Sequence, residues 1–184
     1  MKLISLIVGH SYKSQGAVNE NSGTTEFSFN EPFAMVLADK LMEEGFAANI
    51  VYREGSYKEL HGTVNFTAAD IAISLHCNAF NKKQNGTETL HYVNSTNGKR
   101  LAGLLQNEIV KCLGLKDRGL KPCQAKHLGR AGDRGGYLLK HTAMPCVITE
   151  PFFIDCDKSL ALAKEKADNL AQAYVVAIKR YFEV

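Results

Sequence analysis

No apolar run in this chain approaches the length needed to cross a bilayer, which excludes membrane insertion through a helix of its own. Internal repeats, low-complexity tracts and Pro/Gly-rich linkers are also missing, so residues 1–184 read as one domain with a single core and no second module. Charge of either sign is in short surplus. A net +3 is too weak to predict nucleic-acid binding, and the chain is expected to act as a monomer without a nucleic-acid partner. The five cysteines are odd in number and none stands in a C-x-x-C pair, which argues against a disulfide framework and against a thiolate zinc knuckle. The segment Met1 to Gly9 is shorter than the apolar stretch of a signal peptide, and no small-residue cleavage site follows it. It reads as a buried first strand of a protein made in the cytoplasm without a signal peptide.

What is present is an alternation of short apolar runs and amphipathic stretches. Leu3–Val8, 47–52, Asp70–His76, Glu88–Val93 and Pro145–Thr149 read as strands. Residues 27–44 carry apolar side chains at helical spacing, with Pro32 suiting a first turn and Gly45 a C-terminal stop. Asn97–Leu113 is a second helix stopped by Gly114, and 158–182 a last one with Asp157 as its N-cap. Residues 116–136 read as one long, glycine-rich, basic loop. Strands alternating with helices predict an α/β domain, a three-layer sandwich whose mixed, mainly parallel twisted sheet is flanked by helices.

Three of those strands finish on a polar, potentially reactive side chain: His10, His76 and Glu150. In open α/β sheets ligands bind outside the carboxyl ends of the strands, so these groups are expected at one edge. Two imidazoles and one carboxylate suit a catalytic zinc site, which keeps a fourth position open. Glu20, Glu26 and Glu31 are the candidates for the third ligand. A remaining carboxylate, Glu150, could take a proton from water and return it to a leaving amine.

The motifs Val8-Gly9-His10, Gly16-Ala17 and Glu26 resemble the opening of the zinc-dependent N-acetylmuramoyl-L-alanine amidases of the amidase-3 type. Ser74-Leu75-His76-Cys77-Asn78-Ala79 is similar to that family's Ser-x-His-x-Asn-Ala motif, and Met144 to Glu150 to its closing strand. Arg118-Gly119-Leu120-Lys121 matches a loop carried before that strand. The resemblance implies zinc as cofactor, His10, Glu26 and His76 as its ligands, and Glu150 as the catalytic base. It implies peptidoglycan as substrate and hydrolysis of the amide between the lactyl group of N-acetylmuramic acid and L-alanine. It further suggests a single-domain endolysin or autolysin of phage or prophage type, acting on the cell wall after release and lacking a separate wall-binding domain. A zinc peptidase cutting within the stem peptide and a non-catalytic peptidoglycan-binding module are the rival readings.

Departures from the family pattern fall at Ile7 to Tyr12 and around Leu60 to Asn65, where an arginine-containing stretch is shortened. Arg130 and Arg134 are expected to bind stem-peptide carboxylates, since guanidinium grips a carboxylate in bidentate fashion. Asn78 is a further substrate-binding candidate. His61 and His91 read as surface or strand-face histidines, and Glu31 as a solvated first-turn carboxylate. Cys77, next to His76, is expected to point to the opposite face of the strand and to pack rather than ligate.

Overall fold

A computed structural model describes residues 1–127, 129 and 133–183. In chain order the elements are β1 (Leu3–Val8), α1 (Glu26–Glu43), β2 (Ala47–Val51), α2 (Leu60–Phe66), β3 (Ile71–Leu75) and β4 (Thr87–Tyr92). There follow α3 (Thr96–Leu113), β5 (Asp117–Cys123), α4 (Gly136–His141), β6 (Cys146–Glu150), α5 (Asp157–Glu165) and α6 (Ala167–Phe182). The six strands form one sheet in the order β2-β1-β3-β6-β4-β5. All neighbours run parallel except β4 and β6. The α/β architecture with a mixed, mostly parallel sheet is therefore as expected.

β1 and β3 are almost continuously apolar because helices cover both faces of the sheet. Alternate residues go to opposite sides. Ile4, Leu6, Ile71 and Ile73 join the larger core with Leu37 and Leu41 of α1, Leu105 of α3 and Tyr174 of α6. Ile7 and Ala72 join the smaller one with Leu60 and Val64 of α2 and Leu138 of α4. The parallel register sets Val8 beside Leu75 and Leu75 beside Thr149, so the carboxyl ends of β1, β3 and β6 finish level. Backbone bonds carry the alignment past the strand ends: Gly9 N–H donates to Leu75 O at 2.9 Å and His76 N–H to Thr149 O at 3.0 Å.

Four expectations need correction. Residues 116–136 are not one loop, because β5 occupies Asp117–Cys123 and pairs in parallel with β4. Gly119, Pro122 and three charged side chains hide it, but an edge strand tolerates all of these, since only one side of its backbone is paired. The final helix is broken at Lys166, which ends α5 and begins α6 with φ −99° and ψ 15°. The apolar period runs on across the break, so periodicity alone cannot reveal it. Asp157 is the first residue of α5 rather than its cap, and its carboxylate accepts from Asn19 and Asn21 Nδ2 at 2.8 and 2.7 Å. Pro32 sits in the second turn of α1, not the first. The short helices α2 and α4 carry no sequence signal strong enough to place them, yet both pack Leu60, Val64, Leu138 and Leu139 onto the sheet.

Candidate active site

Gly9 and Gly16 are where the local backbone creates the site. His10 adopts φ +68°, a left-handed conformation uncommon outside glycine, which turns its ring back over the end of β1. Gly16 lies against that ring with φ +80°, and a Cβ there would come within 2.5 Å of His10 Cδ2. A Cβ on Gly9 would meet the Leu75 carbonyl and approach the His76 ring to 2.8 Å. The Gly-His and Gly-Ala pairs thus leave room for two imidazoles, whose centroids are 5.1 Å apart.

Glu26 reaches the same point from the opposite direction. It is the first residue of α1, behind an N-cap in which Thr25 Oγ1 accepts from Ser28 N–H at 3.1 Å and Ser28 Oγ from Thr25 N–H at 2.9 Å. Its Oε1 accepts from Ala17 N–H at 2.9 Å and lies 3.2 Å from His10 Nε2. Its Oε2 accepts from Cys77 N–H at 3.1 Å and lies 3.4 Å from His76 Nδ1. Burial would raise the Glu26 pKa, but hydrogen bonds and charge from the two imidazoles outweigh it and hold the carboxyl well below the usual range. The helix N-terminus favours the anion as well.

One ligand atom from each of His10, Glu26 and His76 lies within 4.8 Å of the others. Two nitrogens and one oxygen are the donor set that a zinc ion accepts while keeping a position open. Side-chain exposure is 28% for His10, 24% for His76 and 7% for Glu26, so the rings face solvent and the carboxylate lies beneath them. The chemistry of the donor set fits the metal. Glu31 is not part of the cluster and is directed toward Tyr52, whose hydroxyl it holds protonated to higher pH after burial has done so. Glu20 pairs instead with Lys82 Nζ at 2.5 Å. Cys77 offers its backbone rather than its sulfur: Sγ is buried 3.8 Å from Asn30 Nδ2, and burial raises the thiol pKa far above its usual value.

Glu150 lies across the same groove, a cavity of about 420 Å³ also lined by His10, Glu26, His76 and Asn78. Asn78 is committed to the carboxylate, donating from Nδ2 to Glu150 Oε2 at 2.6 Å while its own Oδ1 accepts from Ala79 N–H. On the antiparallel partner strand, Glu88 stands directly opposite Glu150. Burial first, and the neighbouring Glu88 charge second, push the Glu150 pKa up to about 8.

Glu88 is the group that sequence reading overlooked. It is 1% exposed, and its charge is held by Arg118 Nε at 2.8 Å, Arg134 Nη2 at 3.0 Å and Lys121 Nζ at 4.0 Å. Burial opposes ionisation, but the Arg118 hydrogen bond leads the effects that lower its pKa overall. One signal was available: Glu88 shares a strand face with the fully buried Leu90, where a solvated carboxylate has no place.

The remaining candidates separate clearly. Arg134 lines the groove and pairs through Nη2 with Glu88, and Arg130 lies outside the described residues. His91 is a strand-face histidine of β4, buried with Nδ1 2.9 Å from the Tyr92 carbonyl. His61 packs edge-on and His141 tilted against Tyr137, and neither belongs to the cluster. All five cysteines are free thiols. No helix among the described residues is long and apolar enough to cross a membrane.

A family model described as N-acetylmuramoyl-L-alanine amidase, of the amidase-3 type, matches residues 4–180. The uncharacterized protein YqiI of Bacillus subtilis is 28% identical over 192 residues, covering 99% of this chain and 85% of YqiI. N-acetylmuramoyl-L-alanine amidase LytC of the same species is 29% identical over 173 residues, covering 90% of this chain but 32% of LytC, so the chain spans about a third of that relative. The crystal structure of an N-acetylmuramoyl-L-alanine amidase from Clostridium difficile 630 superposes with a TM-score of 0.84 at 23% identity, covering 99% of this chain and 97% of that one.

Proposed function

The chain belongs to the amidase-3 family of N-acetylmuramoyl-L-alanine amidases, and from that premise we propose a zinc-dependent hydrolase that cuts the amide between the lactyl group of N-acetylmuramic acid and L-alanine in peptidoglycan. The observation that carries this reading is the convergence of His10, Glu26 and His76 on one point of a groove that also holds Glu150.

His10, Glu26 and His76 would hold the metal, the ionised Glu26 offsetting part of its charge. When bound there, zinc supplies Lewis acidity, polarising a carbonyl oxygen and lowering the pKa of water to about 7. Glu150 acts as base and then acid: its carboxylate accepts the proton of the attacking water and delivers it to the departing alanine nitrogen. Burial and the facing Glu88 strengthen the hold of Glu150 on a proton, which suits it to take one from water and pass it on. Asn78 fixes one oxygen of that carboxylate in the groove. Use as an endolysin or autolysin follows from the sequence resemblance alone.

The test is digestion of purified peptidoglycan with and without a chelator, followed by mass spectrometry of the new amino termini. Free N-terminal L-alanine that disappears with the chelator is expected. Termini within the stem would instead mark a peptidase, and no new termini a binding module.

A further inference from the structure

Arg53 stands two residues beyond the end of β2 and lines the same groove as His10, Glu26, His76 and Glu150. Every other charged side chain described in that lining has a partner. His10 and His76 meet Glu26, Glu150 meets Asn78, and Arg134 meets Glu88. Asp133 accepts from the backbone N–H groups of Gly129 and Tyr137. Among the described residues of this lining, Arg53 alone makes neither an ion pair nor a hydrogen bond shorter than 3.4 Å. Its Nε–H is buried without an acceptor, and its contact to protein is a long one from Nη2 to Ser11 Oγ, at 3.4 Å.

No described acidic neighbour forms an ion pair with Arg53, including the exposed Glu54 beside it in sequence. Glu59 uses Oε2 to accept from Ser56 N–H and Oγ, and Glu31 is directed at Tyr52. The half-buried guanidinium lines the groove without an anion, and its planar fork matches a carboxylate. Neutral sugar hydroxyls or peptide amides would leave the charge unpaired. Arg53 also stands where the groove opens into a second cleft, lined by Asn49, Tyr52, Glu59, Thr63 and Thr67, that continues away from Glu150.

We propose that Arg53 is the specificity residue of the groove, binding in bidentate fashion a carboxylate carried by the peptide portion of the substrate. This rests on the amidase reading and names the part of the substrate that the amide-cutting centre itself does not recognise. Two carboxylates have the required chemistry: the one on the acidic stem residue that follows L-alanine, and the one at the stem C-terminus.

The test uses soluble muramyl tripeptides in three forms: both carboxylates free, the second-residue carboxylate amidated, or the C-terminal carboxylate amidated. Kd is read by calorimetry on protein carrying Glu150→Gln to suppress turnover, and kcat and KM on protein with Glu150 intact. Arg53→Ala is expected to raise Kd and KM for the free-acid peptide about 10- to 100-fold, the loss of hydrogen bonds to a charged group, with little change in kcat. Amidating the contacted carboxylate weakens binding to Arg53-containing protein by a similar factor, and Arg53→Ala then adds nothing further. The amide that produces this loss identifies the source. Arg53→Lys, which keeps the charge without the fork, is expected to fall between. Equal weakening of all three peptides by Arg53→Ala, or no weakening, overturns the proposal, as does indifference of the unsubstituted groove to both amidations. If carboxylate-dependent binding persists while peptidoglycan yields no N-terminal L-alanine, the amidase reading fails and the Arg53 site stands.

Discussion

Glu26 and Glu150 face one groove, and burial pushes both toward the protonated form. They nevertheless end in opposite states. Glu26 sits between two imidazoles and two backbone N–H donors, and its pKa falls well below the usual range. Glu150 faces Glu88, and its pKa climbs to about 8. The comparison teaches that neighbours rather than burial decide which carboxylate can serve as a permanent anion and which can carry a proton. The linkage signs differ accordingly in the metal-free protein. Glu26 contributes stability that is present above its ordinary pKa of 4.5 and lost as pH falls through its depressed value. Glu150 contributes stability that is present below 4.5 and lost as pH rises through about 8.

The largest effect should come from removing the proton carrier. Glu150→Gln is expected to cut kcat about 100- to 10,000-fold while bound zinc, measured by metal analysis, stays stoichiometric. Activity near that of the parent would remove Glu150 from its role. Glu26→Gln should act on the other side of the comparison. It is expected to weaken zinc binding by more than the roughly 10- to 100-fold that losing an outer partner of a ligand costs, as read by competition with a chelating dye. Full metal affinity in that variant would exclude Glu26 as a ligand. Gly16→Ala should destabilise by about 1–2 kcal/mol through its left-handed backbone alone, measured by denaturant unfolding. Its added methyl should also displace the His10 ring and reduce metal affinity. The mildest change is Glu88→Gln, which removes the like charge opposite Glu150. The Glu88 charge raises the proton affinity of Glu150, so in this variant's pH–rate profile activity limited by the basic form of Glu150 should rise at lower pH than in the parent. An unmoved profile would show that Glu88 does not set the proton affinity of Glu150.

The two halves of the site were unequally legible in the sequence. His10, His76 and Glu150 each interrupt an apolar strand at its end, and the parallel register then brings those ends level. Glu26 needed the family resemblance, because three glutamates precede or begin the first helix and composition does not separate them. Glu88 was hidden for a different reason. Its meaning depends on Arg118 and Arg134, which lie 30 and 46 residues further along the chain and meet it through β5 and the turn before α4. The pairing of Arg134 with Glu88 was hidden by the same separation, and Arg53 passed unnoticed because nothing local to it marks the want of a partner. Among the elements, β5 and the break at Lys166 were missed because edge pairing and helix–helix fit leave little trace in hydrophobic period.

β5 carries one further consequence. An outermost strand offers unpaired backbone groups to any other extended chain, and this one answers with Asp117, Arg118, Lys121 and Pro122 within seven residues. Proline has no N–H to give an incoming strand, and the charges resist being stacked against their own copies. The side of the sheet that anchors the Glu88 cations is thereby guarded against edge-to-edge aggregation, so the residues that balance charge beside Glu150 also keep neighbouring molecules apart.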